Sequence, residues 1–134
     1  MNLSEVRACV AKDPYAMFLG IEVQEVSAEQ ATVTVPLKKE YNNSFGQAHG
    51  GLIFSLIDMT FASLGAANDV LCVNAQSSVS YINAGKGDQL RGVATRVRKG
   101  RKLFVCEVHV YDSENNVVAV STVNGFVINP DKNR

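Results

Sequence analysis

The stretch from Gly50 to Ala67 most restricts how this chain of 134 residues folds. It reads GGLIFSLIDMTFASLGAA, and on a helix its large apolar side chains cover nearly the whole circumference. A helix that is apolar on every side is stable in water only when other elements surround it. The pattern therefore predicts a central helix that is buried all round. Its large apolar residues are Leu52, Ile53, Phe54, Leu56, Ile57, Phe61 and Leu64.

Most of the remaining chain is rich in predicted β-strands. Residues 21–26 and 31–37 alternate apolar with polar side chains around a SAEQ turn, which is typical of a hairpin. An antiparallel sheet of about six strands curled around the helix would bury every side of it, so we predict a single α+β domain over residues 1–134. The other four predicted strands are residues 72–82, 89–99, 102–111 and 117–127.

The two ends of the chain carry weaker signals. Residues 3–12 are expected to form a short helix that Asp13 and Pro14 stop. The polar residues 129–134 are expected to fray. Charged side chains interrupt the N-terminal region where a signal peptide needs an apolar stretch, so we expect no export and a cytoplasmic location.

Composition argues against several classes of partner. Thirteen basic and thirteen acidic residues cancel, so no global field draws the chain to nucleic acid or to an anionic membrane. Cys9, Cys72 and Cys106 are far apart and form no Cys-x-x-Cys pair, which disfavours a disulfide framework or a zinc site. The polar residues within the apolar window 48–67 favour a buried helix over a membrane span. We therefore expect no metal, no nucleic acid and no membrane partner.

Asp58 is the unusual residue of the predicted central helix. An ionised carboxylate in a buried helix costs several kcal/mol unless it is paired or lies in a solvated site, and no cation on this helix can pair with it. One interpretation is structural, with Asp58 on a small wet stripe beside Ser55 and Thr60. The favoured interpretation is chemical, because a carboxylate in an apolar cleft can act as a general base toward water or as a nucleophile.

His49, Gly50 and Gly51 stand where a loop becomes the helix. The first N–H groups of a helix lack internal partners and carry the positive end of its dipole, so they stabilise developing negative charge. Glycine there lets a substrate carbonyl approach closely. Eight helical residues separate Gly50 from Asp58 by about 12 Å, too far for one carbonyl to touch both. If both act on one bond, they come from two subunits, which predicts an obligate dimer.

The run from Asn43 through Asn68, NSFGQAHGGLIFSLIDMTFASLGAAN, resembles the signature of hotdog-fold thioesterases of the phenylacetate-degradation type. The likeness lies in HGG, in FSL-x-D and in the aromatic-Ala pair after the aspartate, and the order of elements from about residue 15 to 128 agrees. The resemblance implies a hotdog fold and hydrolysis of an acyl-CoA thioester, with an aromatic acyl group such as phenylacetyl as the family expectation and a medium-chain fatty acyl group as the alternative. Coenzyme A is then part of the substrate and no separate cofactor is implied. It also implies homodimers that assemble into a homotetramer.

The resemblance also assigns roles to single residues. Gly50 would polarise the thioester carbonyl, and Asp58 would activate water or attack the acyl carbon. Asn43 matches a position whose side chain helps to hold the catalytic water or carboxylate, and His49 matches one near the thioester. Asn74 falls where some relatives have a serine facing the site, which makes it a candidate for positioning water.

Other residues are candidates for binding the substrate. The segment RVRKGRK at 96–102 is the densest basic cluster and suits the phosphates of coenzyme A, although an ordinary solvated hairpin explains it equally well. Strand alternation predicts Arg96 and Arg98 on one face, with Lys99 and Arg101 at the turn. Four apolar or aromatic residues are candidates either for the acyl pocket or for the core. They are Phe54, Met59, Phe61 and Tyr81.

Two rival functions use the same residues. A hotdog hydratase or dehydratase would need a histidine and a carboxylate at one substrate carbon, which His49 and Asp58 could supply. The HGG segment at a helix start favours acyl transfer instead. A non-catalytic acyl-CoA or ligand-binding module would hold the thioester without cleaving it, and turnover of any thioester would exclude that function.

Overall fold

The computed structural model describes residues 1–129, which form a six-stranded antiparallel sheet and three α-helices. The strands lie in the order β1-β2-β4-β5-β6-β3, so β1 and β3 are the edges. The bounds are α1 Leu3–Val10, α2 Pro14–Leu19, β1 Glu22–Val26, β2 Gln30–Pro36, a 3-10 turn Lys39–Tyr41, α3 Gly50–Ala67, β3 Cys72–Tyr81, β4 Gln89–Lys99, β5 Leu103–Tyr111 and β6 Val117–Val127. The predicted α+β class, the six strands and the central helix are confirmed.

The sheet wraps around α3, which contacts all six strands. Glycines on the inner strands let the helix approach closely. A Cβ atom at Gly125 of β6 would lie 2.3 Å from Cζ of Phe61, and one at Gly92 of β4 would lie 2.4 Å from Oγ1 of Thr60. By length and composition α3 could cross a membrane, but more than half of it is buried inside the fold. It is therefore the core helix of this domain.

The prediction that α3 is buried all round is wrong for a single chain. Leu56, Ile57 and Leu64 are fully buried, but a continuous stripe on the opposite side is partly or fully exposed. Phe54, in this stripe, keeps 41% of its surface accessible. The physical reason is that the sheet covers one side of the helix and leaves the other open. The exposed stripe comprises Gly51, Phe54, Ser55, Asp58 and Ala62.

The N-terminal prediction needs a correction. The first helix ends at Val10 rather than at residue 12, and a second helix, α2, follows it directly. Asp13 caps α2 by accepting a hydrogen bond from the Ala16 N–H at 3.0 Å, and Pro14 occupies the first helical turn. The Asp-Pro pair that stops one helix therefore also starts the next.

The predicted strand bounds agree with the structure to within one residue. The register of the described strands shifts at four places, and two of these shifts are bulges that break the alternation of predicted site residues. One interrupts β3 between Asn74 and Gln76, and the other interrupts β4 between Arg96 and Arg98. The predicted frayed tail falls mostly outside the described residues. Its first residue, Asn129, is held in place, because its Oδ1 accepts a hydrogen bond from the Leu71 N–H at 2.7 Å.

Candidate active site

Asp58 lies half-buried on the exposed stripe of α3. Its Oδ1 accepts a hydrogen bond from Nδ2 of Asn74 on β3 at 3.0 Å. Over residues 1–129 no cation forms a salt bridge with it. A carboxylate that is open to solvent on one side and held by a neutral donor on the other can accept a proton from a bound water.

The β3 bulge builds the support for this carboxylate. Residues three apart on a regular strand point to opposite faces, but the extra residue at Ala75 turns Asn74 and Ser77 to the same face. Asn74 Nδ2 donates to Ser77 Oγ at 2.7 Å, and Ser77 Oγ donates to Asn74 Oδ1 at 3.0 Å. The two contacts fix the orientation of the Asn74 amide. Ser77 was not among the predicted site residues, because a regular β3 would place it on the outer face.

The N-terminus of α3 presents one unused amide. His49 is the N-cap, and its Nδ1 accepts a hydrogen bond from the Gly51 N–H at 2.9 Å. The N–H groups of Leu52 and Ile53 both donate to the His49 carbonyl. Within residues 1–129 the Gly50 N–H has no acceptor. The predicted role for Gly51 as a donor to substrate is therefore corrected, since His49 occupies its N–H, and Gly50 alone offers an amide.

Tyr81 lies beside this helix start. A Cβ atom at Gly50 would be 3.6 Å from the Tyr81 ring, and the Tyr81 hydroxyl donates to the Gly50 carbonyl at 3.4 Å. The ring is half-exposed. Tyr81, at the end of β3, therefore forms a wall next to the free amide.

Asn43 shapes the loop that leads into α3. Its Oδ1 accepts hydrogen bonds from the Phe45 N–H at 2.9 Å and the Gln47 N–H at 3.2 Å. Its own N–H donates to the Gln47 carbonyl at 2.7 Å. The side-chain NH₂ group has no acceptor in the described part of the chain. Asn43 thus combines a structural role in the loop with one unused donor.

Two of the predicted pocket residues separate into different environments. Met59 is buried in the wall of a cavity of about 580 Å³ between α1, α3 and the start of β3. Phe61 packs on Phe104 with ring centroids 6.1 Å apart and is almost fully buried in the core. The interpretation of Phe61 as a pocket residue is therefore replaced by a core role.

The basic segment lies at the far end of α3. Nη1 of Arg96 donates to Oδ1 of Asn68 at 2.9 Å, and Nζ of Lys99 donates to the Asn68 carbonyl at 3.0 Å. These cations complement the negative end of the helix dipole. Arg96 pairs with the buried Cys106, whereas the β4 bulge turns Arg98 to the outer face of the sheet. The prediction that the two arginines share a face is therefore wrong. Arg98 and Arg101 are exposed.

Cys72 links the carboxylate to the cavity. Burial first, and the charge of the nearby Asp58 carboxylate second, raise the pKa of the Cys72 thiol to about 11. The thiol is therefore protonated at neutral pH and is a poor nucleophile. Over residues 1–129 no three His, Cys, Asp or Glu side chains are grouped to hold a metal ion.

The chain has recognisable relatives over most of its length. The family model described as "Domain of unknown function (DUF4442)" matches residues 4–127. A Bacillus subtilis (strain 168) protein named "Putative esterase ComA2" is 30% identical over 115 residues, which cover 82% of this chain and 90% of that protein. Acyl-coenzyme A thioesterase PaaI of Escherichia coli (strain K12) is 25% identical over 114 residues, or 84% of this chain and 81% of the relative.

Solved structures agree on the fold. The E. coli PaaI protein of the phenylacetic acid degradation operon superposes with a TM-score of 0.87 at 24% identity, covering 93% of this chain and 91% of that chain. A hypothetical thioesterase protein of Streptococcus pneumoniae TIGR4, crystallised with coenzyme A, has a TM-score of 0.82 at 28% identity and coverages of 90% and 94%. The chain therefore belongs to the DUF4442 family and is a member of the hotdog-fold thioesterases.

Proposed function

We propose that the protein is an acyl-CoA thioesterase in which Asp58 and Gly50 carry the reaction. The observation that supports this most is the pairing of a half-buried carboxylate with an unused amide at the start of the same helix. Two relatives support the substrate class, since PaaI is named an acyl-coenzyme A thioesterase and the S. pneumoniae thioesterase was crystallised with coenzyme A. We expect the enzyme to act in the cytoplasm.

The proposed site is shared between two subunits. Gly50 and Asp58 lie on one uninterrupted helix, which separates them by about 12 Å along its axis. The exposed stripe from Gly51 to Asp58 includes the large apolar side chain of Phe54, and a second copy would cover this part of it. Two antiparallel copies of α3 would bring the Gly50 amide of one chain to the Asp58 carboxylate of the other. We further propose that two such dimers assemble into a homotetramer.

The proposed chemistry is general-base hydrolysis. The Gly50 amide donates to the thioester oxygen, where negative charge develops, with the helix dipole behind it. Asp58 takes a proton from water while the water oxygen bonds to the acyl carbon. The tetrahedral intermediate then collapses to the free acid and expels coenzyme A as the carbon–sulfur bond breaks, and the thiolate takes up the proton that Asp58 carries, which restores the carboxylate. A covalent acyl-enzyme on Asp58, detected by rapid-quench mass spectrometry, would assign it the role of nucleophile instead.

We also propose that the basic segment 96–102 contributes to binding of coenzyme A. Arg96 and Lys99 are engaged with Asn68, whereas Arg98 and Arg101 extend into solvent and could contact phosphate. Replacement of both exposed arginines by alanine should raise KM for an acyl-CoA and leave KM for the matching acyl-pantetheine unchanged. An equal effect on both substrates would remove this role.

The deciding experiment measures release of free coenzyme A from a panel of aryl and aliphatic acyl-CoAs. We expect Asp58→Asn to lower kcat about a hundredfold or more, and the matched surface variant Asp88→Asn to retain the parent rate. Binding without release by the parent would support a ligand-binding module. Hydration of an enoyl-CoA without release of coenzyme A would support a hydratase.

A further inference from the structure

The cavity between α1 and α3 lies along the same face of α3 as the proposed catalytic carboxylate. Asp58, Ala62 and Ala66 are spaced four residues apart, so they follow one another along a single face of α3. Ala62 and Ala66 line the cavity. Val10 of α1, together with Leu71 and Cys72 at the start of β3, completes much of its apolar wall. Cys72 stands two residues before Asn74 on β3, and Asn74 donates to Asp58 at 3.0 Å, so the cavity adjoins the site.

We infer that this cavity holds the acyl chain of the substrate and that the preferred substrate is a straight-chain acyl-CoA of about eight to ten carbons. The inference rests on the proposed thioesterase function and names the class of acyl group. A substrate carbonyl held at Asp58 would direct its acyl chain along Ala62 and Ala66, because this row of small side chains leads from Asp58 into the cavity. The other side of the acyl chain would lie against α1.

The length of the row sets the length of the acyl group. Asp58 and Ala66 are eight helical residues apart, or about 12 Å. An extended chain advances about 1.2 Å per bond, so about ten bonds fill the row. The volume of about 580 Å³ accommodates such a chain. The acidic residues of the wall are both engaged, since Asp13 accepts from the Ala16 N–H at 3.0 Å and Asp69 pairs with the N-terminal ammonium group at 3.4 Å, and this wall suits an uncharged chain end.

Two substitutions test this inference by shortening the cavity at different depths. Ala66→Leu fills its far end and Ala62→Leu fills it closer to Asp58. The control is Ala67→Leu, which makes the same change on the neighbouring residue, outside the cavity wall. The measurement is kcat/KM for butanoyl-, hexanoyl-, octanoyl-, decanoyl- and dodecanoyl-CoA with the parent and each variant.

The parent should peak at eight to ten carbons. Ala66→Leu should lower kcat/KM for decanoyl-CoA by at least tenfold and leave hexanoyl-CoA unchanged, since each excluded methylene costs about fourfold. Ala62→Leu should move the optimum to six carbons or fewer, and Ala67→Leu should keep the parent profile. An active parent whose chain-length profile is moved by neither Ala62→Leu nor Ala66→Leu would overturn the inference alone. A parent that hydrolyses no acyl-CoA would overturn the proposed function itself.

Discussion

A single substitution can remove the Gly50 amide and leave the helix intact. Gly50 is the first residue of α3, and proline is tolerated at that position because its N–H lacks a helical partner anyway. Proline also requires extended backbone at the preceding residue, and His49 already has φ −62° and ψ 138°. A Cβ atom at Gly50 would meet only Tyr81, at an ordinary contact distance of 3.6 Å. Gly50→Pro should therefore fold like the parent.

The expected loss of activity is large. Removing one donor that stabilises a developing oxyanion costs about 100-fold to 1,000-fold in kcat, or about 3–4 kcal/mol of transition-state stabilisation. KM should change little, because the donor acts mainly on charge that forms in the transition state. The assay is release of coenzyme A, with circular dichroism and the thermal midpoint as the test of folding. An active Gly50→Pro protein would refute the oxyanion role of this amide.

Mixing Gly50→Pro with Asp58→Asn tests whether the site spans two subunits. In a shared site, a hybrid pairs the intact Gly50 of one chain with the intact Asp58 of the other. Random exchange in an equimolar mixture, refolded together, should then restore about one quarter of the parent activity. If both groups acted within one chain, every site would carry a defect. Activity that stays at the level of the two separate variants would therefore refute the shared site.

Three further outcomes are expected. Asn74→Leu removes the donor to Asp58 and should lower kcat about tenfold or more with little change in KM; unchanged steady-state kinetics would leave Asn74 a structural role only. Gly125→Ala should lower the free energy of unfolding by about 1–3 kcal/mol in urea titrations, because its Cβ collides with Phe61, and Phe61→Leu should recover part of the loss. Burial by itself would raise the pKa of Asp112, but hydrogen bonds to the carboxylate outweigh burial and lower the pKa below 3.8. The ionised Asp112 carboxylate therefore stabilises the fold above pH 3.8, and this stabilisation is lost as the pH falls below the folded pKa. In a plot of the thermal midpoint against pH, Asp112→Asn should therefore show a smaller decrease in acid than the parent.

The regular elements were predictable because each has a strong periodic signal. The bounds predicted for the central helix coincide with Gly50–Ala67, since glycines and a polar loop precede it and Asn68 follows it. The strand bounds were close because short turns rich in glycine and asparagine separate the strands. The helix α2 was missed because its six residues are too few for a periodic pattern, although Asp13 and Pro14 marked its start.

The finer geometry of the site depends on features that carry little sequence signal. The bulges at Ala75 and Val97 are set by pairing with neighbouring strands, and neither residue type marks a bulge. One bulge brings Ser77 beside Asn74, and the other separates Arg98 from Arg96. Strand alternation therefore misplaced one supporting residue of the site and one predicted phosphate ligand. Both errors follow from assuming a period of two across an irregular strand.

The exposed stripe of α3 shows what a hydrophobic pattern measures. Apolar residues around the whole helix indicate burial, but they do not say whether the same chain or a second copy provides the cover. The sheet covers one side, and Phe54 remains accessible on the other. Asp58 lies on that open side, where water can reach it in the single chain and where a partner's Gly50 would meet it in the proposed dimer. The mismatch between an all-apolar sequence and a half-covered helix thus supports the same shared site as the 12 Å separation along α3.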